Sequence, residues 1–285
     1  MNKTLSVAKS EYMKWIFSTR MLILFCVLVF INQFSTLPLI KMSEQMACPL
    51  NIFEPFIAVS NSDVLMMIMP IVFITLISDF PKNDGNLLFC VSRTGKKSWL
   101  SGQIIFLLCA VLTFIAAVFL STIICSFLHT DYTENWSKTV TEYTKRFPEQ
   151  AQSFEAKLIP ESLYYQYVPL KSALHSVLLT VMQLFSYGLI MLIFFEINHK
   201  SVGIAANVFL IVAGGALMFS KTIFKWAFPC CNAIVKAHFR KFLRLQYFEI
   251  LNSYLYFSVL ISALIILSFL LIRKTDFITS QEDTQ

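Results

Sequence analysis

Charge is scarce in this chain. Asp, Glu, Lys and Arg supply 14% of its 285 residues, where an average soluble domain has about a quarter. Glycine is scarce too, at 7 residues, which excludes a collagen-like repeat. The charged heptad positions of a coiled coil are missing. What is abundant is apolar: 56% of the residues are hydrophobic and the mean hydropathy is +0.66. That excludes a disordered chain and a water-soluble globule. An integral membrane protein remains.

Metal-binding and disulfide patterns are also absent. The cysteines are Cys26, Cys48, Cys90, Cys109, Cys125, Cys230 and Cys231. None forms a C-x-x-C pair, and several lie inside or at the edge of apolar runs, so free thiols are expected rather than a disulfide framework or a zinc site. Adjacent Cys230 and Cys231 would bridge only under strain.

A helix needs about 20 apolar residues to cross roughly 30 Å of hydrocarbon. Six stretches meet this requirement, at about 21–40, 56–78, 100–128, 172–195, 202–220 and 250–272. The fold class predicted is therefore all-α: a single transmembrane domain covering 1–285, with six transmembrane helices. The first run has no small-residue cleavage site and reads as a retained span. The second is short unless it starts near Pro55 or Phe56, which draws Asp63 toward the membrane. There Asp63 either sits at headgroup level or faces a polar cavity. Pro70 predicts a kink. Between spans lie a loop over 129–171 and a basic segment over 221–249, where Lys236, Arg240 and Arg244 recur every four residues. That segment is either interfacial or re-entrant.

The net charge of +6 is not a nucleic-acid footprint, because Lys and Arg cluster at the ends of apolar runs as headgroup anchors. With the N-terminus inside, 11 basic residues fall inside and 12 outside. Leaving out the long 129–171 loop, which carries little topogenic weight, lowers the outside count to 7. Both termini are then expected in the cytoplasm, after an N-terminal amphipathic interfacial helix carrying Tyr12, Trp15 and Phe17.

Catalytic chemistry is missing. No H-E-x-x-H, G-x-S-x-G or paired-carboxylate motif occurs, and the four histidines are scattered. The phrase Arg93-Thr94-Gly95-Lys96-Lys97-Ser98 fails as a P-loop: Lys97 stands where Ser or Thr is required, and Cys90 where the first Gly belongs. The chain is expected to be no enzyme and to bind neither metal nor cofactor directly. Polar residues in or near the spans are Asn32, Gln33, Asp63, Gln183 and Asn207, which serve either as interhelical hydrogen-bonding groups or as the lining of a polar translocation path. Ion-coupled carriers place acids or His relays at depth. None is evident, so energy for uphill movement would enter from a partner.

One segment is more specific. Asp84-Gly85, then Leu87-Leu88, Ser92-Arg93, Lys96-Lys97 and Gly102 follow the second run in order. This resembles the cytoplasmic connection between spans two and three in ABC exporter permeases of the type-2 class, with Gln103 replacing the usual Lys. The resemblance implies an ATPase-coupling loop made of Asp84, Gly85, Leu87, Leu88, Ser92, Arg93, Lys96 and Lys97. It implies an ATP-binding ABC subunit as partner, with ATP and Mg held there, and a second permease copy or paralogue completing a dimer in the lipid of a bacterial cytoplasmic membrane. The implied function is export of an amphipathic peptide, lipid or drug-like molecule. The 129–171 loop departs from the family, where this connection is short, so no particular cargo carries over. The alternative reading is a non-transporting immunity or sensor subunit associated with an ATPase.

Overall fold

In the computed structural model, residues 3–82, 87–218, 220, 222–239 and 246–274 are described, and the chain is mostly helical. Helix α1 (Lys3–Ile16) precedes a helical rod made of α2 (Met21–Ile31), a π turn over Asn32–Thr36 and α3 (Leu37–Met46). The widened turn comes just before Pro38, whose missing N–H and bulky ring disturb a regular α-helix. Strand β1 (Leu50–Asn51) leads to α4 (Glu54–Ser60) and α5 (Leu65–Leu76). Next come α6 (Leu87–Thr94) and α7 (Lys96–Ser126), then β2 (Thr130–Asp131), which pairs in parallel with β1. The chain continues through α8 (Lys138–Arg146), α9 (Glu161–Tyr164), α10 (Pro169–Glu196), α11 (Lys200–Met218), α12 (Pro229–Ala233) and α13 (Ile250–Leu271).

Among the described residues, five helical segments are long and apolar enough to cross a membrane: Met21–Met46, Lys96–His129, Pro169–Glu196, Lys200–Met218 and Ile250–Leu271. The second expected span is broken. Helices α4 and α5 meet at an 80° bend, and only as one unit do they make a sixth crossing. This bend falls at residues 61–64, ahead of Pro70, which lies inside α5. Four consecutive polar residues, Ser60-Asn61-Ser62-Asp63, explain the position, since their side chains compete for backbone groups and favour turns.

Helix α10 is central, with two thirds of its most apolar window buried, against 11% for α13. The outward Leu, Val and Phe side chains of α2, α11 and α13 suit a hydrocarbon surround. Helix α1 packs along α7. A Cβ on Gly102 would stand 2.7 Å from Val7 Cβ and 2.9 Å from the Thr4 carbonyl, so glycine permits this approach. Tyr12 Oη lies 2.9 Å from Thr113 Oγ1. Trp15 Nε1 donates to Leu76 O at 3.1 Å and satisfies a carbonyl left over at the end of α5.

The long connection is not a bare loop. Val140, Tyr143, Leu158, Ile159 and Leu163 are buried against Leu39, Met42, Met46, Leu50 and Ile57. Together they form a folded cap over α3 and α4.

The bend is held by the fully buried Asn61. Its Nδ2 donates to Ile57 O at 3.0 Å and to Ser176 Oγ of α10 at 3.1 Å. Its Oδ1 accepts from Lys236 N at 3.0 Å. Replacing Asn61 with the nearly isosteric Leu orphans the Lys236 amide and the Ser176 hydroxyl, at roughly 1–3 kcal/mol each. We expect N61L to lower the apparent unfolding temperature of the purified protein by several degrees while surface changes leave it in place. An unchanged transition would show that the clasp contributes nothing.

Candidate functional site

Of the expected coupling residues, Leu87, Leu88, Ser92 and Arg93 sit on a separate short helix, α6, and Lys96 and Lys97 open α7. Helices α6 and α7 are joined by Gly95 alone, at φ +86°, a conformation open to glycine and costly for other residues. That turn sets the direction of α6 relative to α7. Leu87 and Val91 face inward and are buried. Leu88 and Phe89 face outward, Phe89 with 65% of its surface exposed. Ser92, Arg93 and Lys97 are exposed beside them. The Arg93 carbonyl accepts from Lys3 Nζ at 3.3 Å, which ties α1 to α6. Lys96 opens α7. Asp84 and Gly85 lie outside the described residues, as do Arg240 and Arg244 of the basic segment.

The polar path residues do not converge. Asn32 is satisfied within its own helix, donating to Leu28 O at 3.0 Å and accepting from Thr36 Oγ1 at 2.9 Å. Gln33 is exposed on the outer face of the same rod. Gln183 and Asn207 do belong together. Gln183 Nε2 donates to Cys230 Sγ at 3.4 Å, Tyr187 Oη lies 3.1 Å from the same sulfur, and Asn207 Nδ2 donates to Tyr187 O at 3.1 Å. This knot fastens α10, α11 and α12. Asp63 stands apart at the bend, where its Oδ1 lies 2.7 Å from Lys236 Nζ.

Lys236 therefore holds the bend twice, through its backbone amide and its ammonium. The segment carrying it, Pro229–His238, is packed inside the protein: Cys230, Asn232, Val235 and His238 are fully buried. Burial pushes both the Cys230 and the Cys231 thiols up to about 11, so they stand as neutral thiols. Among the described residues, no three metal-ligating side chains gather into a cluster.

Sequence reading missed two polar centres. Glu54 is completely buried. Its carboxylate accepts from Asn51 N at 2.9 Å, Ser137 N at 2.7 Å and Ser137 Oγ at 2.8 Å. It pins the cap, through Ser137 at the head of α8, to the start of α4. The pair Glu54-Pro55 opening an apolar run was a readable helix-start signal, but the Ser137 contact spans 83 residues and leaves no local trace. The second centre joins α12 to α13. Asn232 Nδ2 donates to Trp226 O at 2.7 Å and Phe228 O at 3.1 Å, and its Oδ1 lies 2.8 Å from Ser253 Oγ. His238 Nε2 lies 2.8 Å from that same Oγ, and its Nδ1 faces Ile234 O at 2.8 Å. A neutral ring must carry its proton on Nδ1 to meet the carbonyl, so Nε2 and Asn232 Oδ1 share one serine hydrogen.

The chain matches no family model, no curated protein and no solved structure.

Burial pushes the His238 imidazole down to about 4, against about 6.5 in an unfolded chain. Between those values the unfolded state takes up a proton that the folded state refuses. Stability from this group is complete above pH 6.5 and declines as pH falls toward 4. We expect acidification from pH 7 to pH 5 to destabilise the wild-type protein more than H238Q, by about 1–2 kcal/mol. Equal pH slopes in the two proteins would contradict a neutral buried His238.

Proposed function

We propose that this chain is the membrane-spanning permease subunit of an ATP-driven exporter of the ABC type, in a bacterial cytoplasmic membrane. In this reading α4 and α5 together form one bent span, giving six. Both termini face the cytoplasm, and α1 lies in the inner interface. The basic segment over 221–249 is the interfacial or re-entrant element of the outer side. A second copy or a paralogue completes the translocation unit, and ATP with Mg is held by a separate ATPase subunit. Cargo of amphipathic character, such as a peptide, lipid or drug-like molecule, suits the apolar interior.

The observation that carries this reading is the outward face of α6. A short helix that leaves Leu88 and Phe89 uncovered, with Arg93 at its rim, has the make-up of a docking anchor: an apolar centre bordered by charge. Its one-residue link to α7 through Gly95, and the tie from Lys3, give a push on α6 two routes into the bundle. The scarcity of ionisable groups in the spans agrees with energy arriving from outside the chain.

The test is co-purification from the native membrane. The wild-type protein should bring down a vanadate-sensitive ATPase activity, and L88E/F89E should reduce it at least tenfold while insertion stays normal. An ATPase retained in full by L88E/F89E removes α6 as the coupling element. An ATPase that co-purifies but responds to no cargo favours the immunity or sensor reading.

A further inference from the structure

Beside the contact between α1 and the end of α5 lies a small open cleft of about 50 Å³. One wall is apolar, with Trp15, Leu76, Phe80 and Phe106. The other is polar and charged. Its carboxylates are engaged: Arg20 Nη2 lies 2.6 Å from Asp79 Oδ2, and Lys14 Nζ lies 3.3 Å from Glu11 Oε1. Two polar groups remain. Lys82 lines the cleft, is exposed and makes no ion pair among the described residues. Ser18 also lines it, and its hydroxyl is buried without a hydrogen-bond partner among the described residues.

We propose that this cleft binds the phosphate of an anionic phospholipid. With two acids and two bases paired off, one positive charge is left over, and an unused hydroxyl donor stands in the same cleft. A single phosphodiester supplies the charge and the acceptor oxygens that these two groups lack. The position fits as well. The apolar helices α2 and α5 both reach an end here, at Met21 and Leu76, where hydrocarbon gives way to headgroups, and basic pockets between helices at that level take anionic lipid. A zwitterionic lipid would bring an ammonium that finds both carboxylates already occupied, which favours an anionic headgroup. The site rests on the membrane character of the chain and not on any ATPase, so it stands or falls separately from the transport reading.

The experiment is lipid retention by the purified full-length chain, read by native mass spectrometry after equilibration with equal phosphatidylglycerol and phosphatidylcholine. The wild-type protein should keep phosphatidylglycerol in preference. S18A/K82Q should lower that preference at least fivefold, K82R should retain it, and K97Q, which alters an exposed lysine outside the cleft, should leave it unchanged. Millimolar inorganic phosphate should not displace the lipid. Retention by S18A/K82Q equal to wild type overturns the site. Displacement by phosphate overturns the lipid as its occupant and leaves a free-anion site instead.

Discussion

Asn61 makes three connections at a place where the bundle cannot rely on regular helix. A break inside an apolar span frees backbone amides and carbonyls, each costing several kcal/mol when left bare in hydrocarbon. Its amide side chain reaches back to α4, across to α10 and out to the backbone of Lys236. The neighbouring Asp63 then takes the Lys236 ammonium. The direction of α5, the seating of Pro229–His238 and the packing of α10 against both follow from that clasp.

Around this point the polar groups are arranged in local knots rather than in a continuous file. Glu54 fastens the cap, Tyr187 and Cys230 fasten α10 to α11 and α12, and Asn232 with Ser253 fastens α12 to α13. Each knot ties together only a few neighbouring elements. Such an interior offers little chemistry for capturing energy, and it concentrates the opportunities for outside control at the ends of the helices. Helix α6 and the α1 cleft are both at ends, and they are joined through α1 itself.

Much of the architecture was legible because hydrophobic run length speaks directly to a bilayer. The helices Lys96–Ser126, Pro169–Glu196, Lys200–Met218 and Ile250–Leu271 lie within a few residues of the expected spans. The break at residues 61–64 went unread because proline is the louder local signal, whereas the run from Ser60 to Asp63 breaks the helix through side-chain competition and distant partners. The same limit applied to the polar residues. Gln183 and Asn207 were visible as polar, but their meeting through Tyr187 and Cys230 depends on chain crossings that no spacing encodes. Glu54 was overlooked for the same reason. On α6 the apolar character was readable, but which residues turn outward was not: Leu87 is buried and Phe89 is exposed.

Sidedness is the most direct test of the central claim, that α6 faces the cytosol while the cap over 129–168 faces away. Single cysteines at Phe89 and at Tyr132, both exposed, in a chain cleared of its native cysteines, would be labelled with a membrane-impermeant maleimide in right-side-out and inverted vesicles. The account predicts that position 132 reacts only in right-side-out vesicles and position 89 only in inverted ones. Reaction of both positions from one side, or of position 89 from outside, would contradict it.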